Sequence, residues 1–175
     1  MTSSMKILAV SVFVCILMVL AFASFCPSND YNTCPCNWRE FDGRCFHYVK
    51  EKKTWAQAEQ NCHSMNANLV SIHNEEEELS LKNFIIEETQ SPFNLKIWIG
   101  ASDCWKEGSW YWSDGTQFSF TDWCRGQPNN LYTGQDCVTI KLRGRCWDDR
   151  SCTDTFSSIC AKRVQKSHPT CHHRT

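Results

Sequence analysis

The stretch Gly126–Cys137, GQPNNLYTGQDC, crowds side-chain oxygens into one segment that holds a single acid, Asp136. Oxygens in that density suit a hard cation. Calcium takes about six to eight oxygen ligands from carboxylates, side-chain amides, backbone carbonyls and water. By itself the segment reads as a turn, because Gly, Pro and Asn favour turn geometry. It becomes a site only if other segments add charge. Other chemistry is thin. There is no G-x-S-x-G nucleophile motif, and no other nucleophile–base pattern, so an enzyme is not expected. His168, His172 and His173 flank Cys171 and suggest metal, but a polar tail with a disulfide reads better. His47, His63 and His73 fall within strand and helix patterns and read as packing or surface residues.

The chain has 175 residues, one domain with extra pieces at its ends, and 18 basic against 19 acidic residues give a net charge of −1. No basic run points to nucleic acid. Lys6 precedes a continuous apolar run, Ile7–Ala23, that ends in AFA, so residues 1–23 read as a signal peptide cleaved after Ala23. An uncleaved anchor is the competing reading, since the run nears bilayer length. Of 13 cysteines, Cys15 leaves with the signal, and the 12 that remain read as a disulfide framework made in an oxidising compartment. The zinc alternative at Cys34 and Cys36 lacks paired CxxC spacing. No N-x-Ser/Thr sequon is present. Secretion follows, with no membrane span in the mature protein.

Residues 24–33 form a polar leader, 34–164 one compact domain and 165–175 a polar tail. Two helices are expected. TWAQAEQNCHSM places Trp55, Ala58, Cys62 and Met65 on one face, with Thr54 and Gln57 as a capping box. NEEEELSLKNFIIEE starts at Asn74 as cap, and its acidic run reads as a solvated first turn at the positive end of the dipole. Strands are expected at Cys45–Val49, Lys96–Gly100, Ser109–Ser113, CVTIKL and SSICAKRV, with turns at Asp114-Gly115 and Arg143-Gly144. Helices followed by many short strands argue an α+β fold with an antiparallel sheet. The irregular stretch from Ala101 to Cys137 is long for a compact domain, and such loops are usually functional.

From Cys34 to Val164 the chain resembles a C-type lectin-like domain: CPCNWREFDGRCF, TWAQAEQNC, LVSIHNEEEE, WIG, WSDGT, QPN, GQDCVTI, CWDD and SSICAK stand in the family's order and spacing. The resemblance implies disulfides Cys34–Cys45, Cys62–Cys160 and Cys137–Cys152, and a packing role for Trp98 and Ile99. Cys62–Cys160 would close a loop of about a hundred residues, which in the chain-entropy model stabilises by about 4–5 kcal/mol. Cys104, Cys124 and Cys146 resemble the extra cysteines of fish type II antifreeze proteins, which implies Cys124–Cys146. The usual partner of Cys104 falls at Asp136 here, so Cys104, Cys26, Cys36 and Cys171 are unassigned. Cys36 or Cys26 with Cys171, or an intermolecular bond giving a homo-oligomer, stay open.

The resemblance also implies a calcium site built by Gln127, Asn129, Gln135, Asp148 and Asp149, behind a cis Gln127–Pro128 bond. Sugar hydroxyls would meet the ion and Gln127, Asn129, Gln135 and Asp148. Gln-Pro-Asn is a hybrid of the mannose-type Glu-Pro-Asn and galactose-type Gln-Pro-Asp patterns. Gln127 at its head, with Tyr132 as a stacking surface, leans to galactose. Two acids where the usual site has three imply weak calcium binding. The expected function is a secreted lectin that binds glycoconjugates, with a role in innate defence or agglutination. An ice-binding protein is the alternative, and a protein-binding domain with a degenerate calcium site is a third reading.

Overall fold

The computed structural model describes residues 34–90, 95–131, 134–142 and 146–164. The expected signal peptide, leader and tail, with Cys26, Cys171, Tyr132 and the Arg143-Gly144 turn, lie outside them. Among the described residues ten elements follow in order: β1 Arg39–Phe41, β2 Arg44–Lys53, α1 Trp55–Ser64, β3 Asn68–Leu69, α2 Glu75–Thr89, β4 Lys96–Ser102, β5 Tyr111–Trp112, β6 Cys137–Lys141, β7 Cys146–Arg150 and β8 Phe156–Arg163.

Local signals work as expected at the helix starts. Thr54 and Gln57 close a capping box on α1, and the Asn74 side chain accepts from the Glu77 N–H to start α2. The acidic run departs from expectation. Glu77 and Glu78 are buried rather than solvated. Glu77 pairs with Arg44, while Glu78 accepts from the Trp147 indole N–H at 2.7 Å and pairs with Lys82 at 2.9 Å. Burial raises the Glu78 pKa, against the lowering effect of Lys82 and the indole.

The strands form one sheet in the order β1-β2-β8-β4-β6-β7, with β3 beside β8 and β5 beside β4. It is mixed rather than antiparallel throughout, because β4 and β8 run parallel. The intervening chain supplies the long return that a parallel pair needs. Alternation divides the sheet into two faces. Ile97, Ile99, Val138, Ile140 and Trp147 join Leu81, Phe84 and Ile85 of α2 in one core. Trp98, Leu69 and Cys160 join Ala58 and Cys62 of α1 in the other. Trp98 and Ile99 are fully buried, as the WIG motif implies. At Gly100 an added Cβ would lie 2.7 Å from the Leu69 carbonyl oxygen, so only glycine lets β4 pass this closely.

Candidate functional site

The loops between β4 and β7 are held by bonds to the sheet. Cys124 N–H donates to the Trp147 carbonyl at 2.8 Å, and Trp147 N–H donates to the Asp122 carbonyl at 2.7 Å. The Cys124–Cys146 and Cys137–Cys152 disulfides brace the same region, while Cys34–Cys45 and Cys62–Cys160 tie the sheet elsewhere. These are the four pairs the resemblance implies. Cys36 is disulfide-bonded. Cys104 carries a free, exposed thiol 3.0 Å from the Tyr111 hydroxyl.

The Gln127–Pro128 peptide is cis. Beyond it the chain wraps onto Asp149, whose Oδ2 accepts from the N–H groups of Asn129 at 3.0 Å and Asn130 at 2.6 Å. Leu131 N–H is shared by Asn129 Oδ1 at 2.9 Å and Gln135 Oε1 at 2.8 Å. Asn130 sits at φ 41°, in the left-handed region that Asn tolerates, and its Oδ1 accepts from the N–H groups of Gly134 and Gln135. These bonds draw Asn129, Gln135 and Asp149 together, with Gln127 leading the same turn. Two oxygens of this group, Gln127 Oε1 and Asp149 Oδ1, are buried without a hydrogen-bond partner. A buried carboxylate or amide oxygen with no donor is costly, and a cation is one way to meet that cost.

Asp148 is not brought to this group. In the β6–β7 register Asp149 lies opposite Val138 and Asp148 opposite Thr139, so the two acids face opposite sides of the sheet. Asp148 is buried, and its Oδ2 pairs with Lys96 at 2.7 Å and Lys141 at 3.1 Å. One of the two expected acids is therefore neutralised by lysines.

Other acids gather here that no spacing in the sequence links. Asp103 opens the loop after β4, accepts from the Gly108 N–H at 2.8 Å, and keeps Oδ1 buried and unpartnered. Its own N–H donates to the Asp136 carbonyl, and Glu107 Oε2 accepts from Asn130 Nδ2 at 2.5 Å. Burial raises the Asp103 pKa, and the negative charges of Asp136 and Asp149 add to it; Glu107 is raised in the same sense, by partial desolvation first and then by the charges of Asp103, Asp136 and Asp149. The only hint in sequence was the length of this loop, since no periodicity links residues 103, 107 and 136.

The donor set is all oxygen and mostly amide. Among the described residues no group of three or more His, Cys, Asp or Glu side chains is placed to hold a metal by itself. The arrangement fits a hard cation carried by amides and one carboxylate better than a soft metal, and low ligand charge fits weak binding.

Comparison with known proteins agrees with this architecture. The Lectin C-type domain family matches residues 51–162. A type-2 ice-structuring protein of Osmerus mordax is 40% identical over 130 residues, 74% of this chain and 71% of the relative. The galactose-specific lectin nattectin of Thalassophryne nattereri is 32% identical over 154 residues, 88% of this chain and 96% of the relative. The solved structure of herring type II antifreeze protein superposes with a TM-score of 0.67 at 38% identity, covering 75% of this chain and 99% of that one.

Proposed function

The chain belongs to the C-type lectin domain family, and on that premise we propose that it is a secreted carbohydrate-binding protein. It binds the sugars of glycoconjugates at a calcium site formed by Gln127, Asn129, Gln135 and Asp149, in surface defence or agglutination. The observation that carries this reading is the pair of buried, unpartnered oxygens on Gln127 and Asp149. Calcium, when bound, supplies a positive anchor for two neighbouring sugar hydroxyls. The chain's amides do the rest. A carboxylate only accepts hydrogen bonds, whereas the amides of Gln127, Asn129 and Gln135 both donate and accept, so they can meet hydroxyls in either sense. Tyr132, in the same loop by sequence, supplies a ring for a sugar's apolar face and supports a galactose preference. Asp148, neutralised by Lys96 and Lys141, adds no free charge, and weak calcium affinity follows.

A glycan array with and without a calcium chelator tests this. Chelator-sensitive signal is the expected result, and it should vanish in Asp149→Ala. A second reading, ice binding, is favoured by the Cys124–Cys146 disulfide and the ice-structuring relative. The free thiol at Cys104, facing no cysteine at 136, speaks against it. Thermal hysteresis in ice without any glycan signal would select that reading. Silence in both assays would select a protein-binding domain.

A further inference from the structure

We infer that Trp105 forms an apolar subsite beside the amide-rich group, where it takes the hydrophobic aglycone of a glycoside. This rests on the sugar-binding reading above and names a ligand class for it. Three large hydrophobic side chains are exposed among the described residues: Leu79, Trp105 and Leu131. Leu79 is on α2, whereas the other two stand on the loops of the candidate site. Trp105 is 85% exposed and Leu131 53%.

Those two loops are joined. Asn130 Nδ2 donates to Glu107 Oε2 at 2.5 Å, and Asp103 N–H donates to the Asp136 carbonyl at 3.1 Å. Leu131 is fixed through its N–H by Asn129 and Gln135. Trp105 lies between Asp103 and Glu107, the two residues that bond the other loop, and most of its surface stays in water. An exposed indole at such a place is the kind of group that receives a partner, because it offers large apolar area at small entropic cost.

The ligand must match both halves of this rim. The amide oxygens suit hydroxyls, and the indole with Leu131 suits carbon. An extended peptide fits less well, since the loop N–H groups of Asn129, Asn130 and Leu131 are already bonded within the site and cannot pair with a strand. An amphiphilic glycoside satisfies both halves, its sugar on the oxygen group and its alkyl or aryl substituent on Trp105.

The test uses the full mature chain in calcium. Methyl and n-octyl β-galactoside, the matching mannosides and lactose are titrated by calorimetry into wild type, Trp105→Ala and Trp105→Phe. Wild type should bind the octyl glycoside about tenfold more tightly than the methyl glycoside. Trp105→Ala should cut that gain to about twofold or less, and Trp105→Phe should restore most of it. Methyl glycoside affinity should be the same in all three proteins. Equal binding of both glycosides to wild type, or an unchanged gain in Trp105→Ala, would overturn the subsite and leave the sugar site standing. A gain for lactose that matches the octyl gain and is lost in Trp105→Ala would overturn the aglycone assignment in favour of a second sugar ring. Binding of no sugar at all would overturn the lectin reading and the subsite with it.

Discussion

Two groups of carboxylates differ in how they are partnered. In the knot that joins β2, the segment after β3 and the start of α2, Arg44 bonds Glu77 and both the carbonyl and hydroxyl of Ser71. Ser71 donates to Asp114 at 2.5 Å, Thr116 donates to Asp114 through both N–H and hydroxyl, and Glu77 takes the His73 N–H. Burial alone would raise the Asp114 pKa, but Ser71, Thr116 and Arg44 outweigh it and the net shift is downward. In the loops, Asp103 and Asp149 each keep a buried oxygen unpartnered, and the pKa of Asp103 is raised. The knot has used its donors on structure. The loops hold acceptors in excess, and under the proposed calcium reading a cation is what would meet that excess.

The largest expected effect breaks the knot. Arg44→Met leaves Glu77 and Asp114 without their cation and should destabilise by about 3–5 kcal/mol in urea denaturation, with or without calcium. A loss that calcium largely repaired would erase the distinction between the two groups. Next comes the loop side. At a hundredfold excess of calcium over Kd, wild type should gain about 2.7 kcal/mol by linkage, read as a rise in Tm. Asp149→Ala should abolish that gain, while its metal-free stability changes by about 1 kcal/mol. A retained calcium shift in the variant would remove Asp149 from the site.

A smaller effect, of opposite sign in the two groups, appears with pH in the metal-free protein. The folded pKa of Asp114 lies below its unfolded value of about 3.9, so its contribution is full above that pH and is lost as pH falls below it. The folded pKa of Asp103 lies above the unfolded value, so its cost is present near neutrality and is relieved as pH falls through the folded value. Asp103→Asn should therefore stabilise the metal-free protein at pH 7, and Asp114→Asn should destabilise it. Matching signs in the two variants would sink the comparison. Smallest of all, Cys104→Ser keeps a hydroxyl beside Tyr111 and should shift stability by no more than about 0.5 kcal/mol.

Sequence alone determined what depends on near neighbours. The capping box at Thr54 and Gln57, the Asn74 cap and the alternation in β6 rest on contacts within a few residues, so spacing reveals them. Motif order carried the family resemblance, and with it the four disulfide pairs, although a cysteine count cannot select partners. Tertiary structure decided the rest. Glu77 and Glu78 read as solvated until β2 and β7 bring Arg44 and Trp147 onto them. Asp148 and Asp149 are adjacent in sequence, yet the pleat sends them to opposite faces, one to two lysines and one to the Gln-Pro-Asn turn. Glu107 meets Asn130 and Asp103 meets Asp136 only because β4 and β6 are neighbours in the sheet. The charge at a site is a sum over whatever the fold brings within a few ångströms, and local spacing carries no record of that sum.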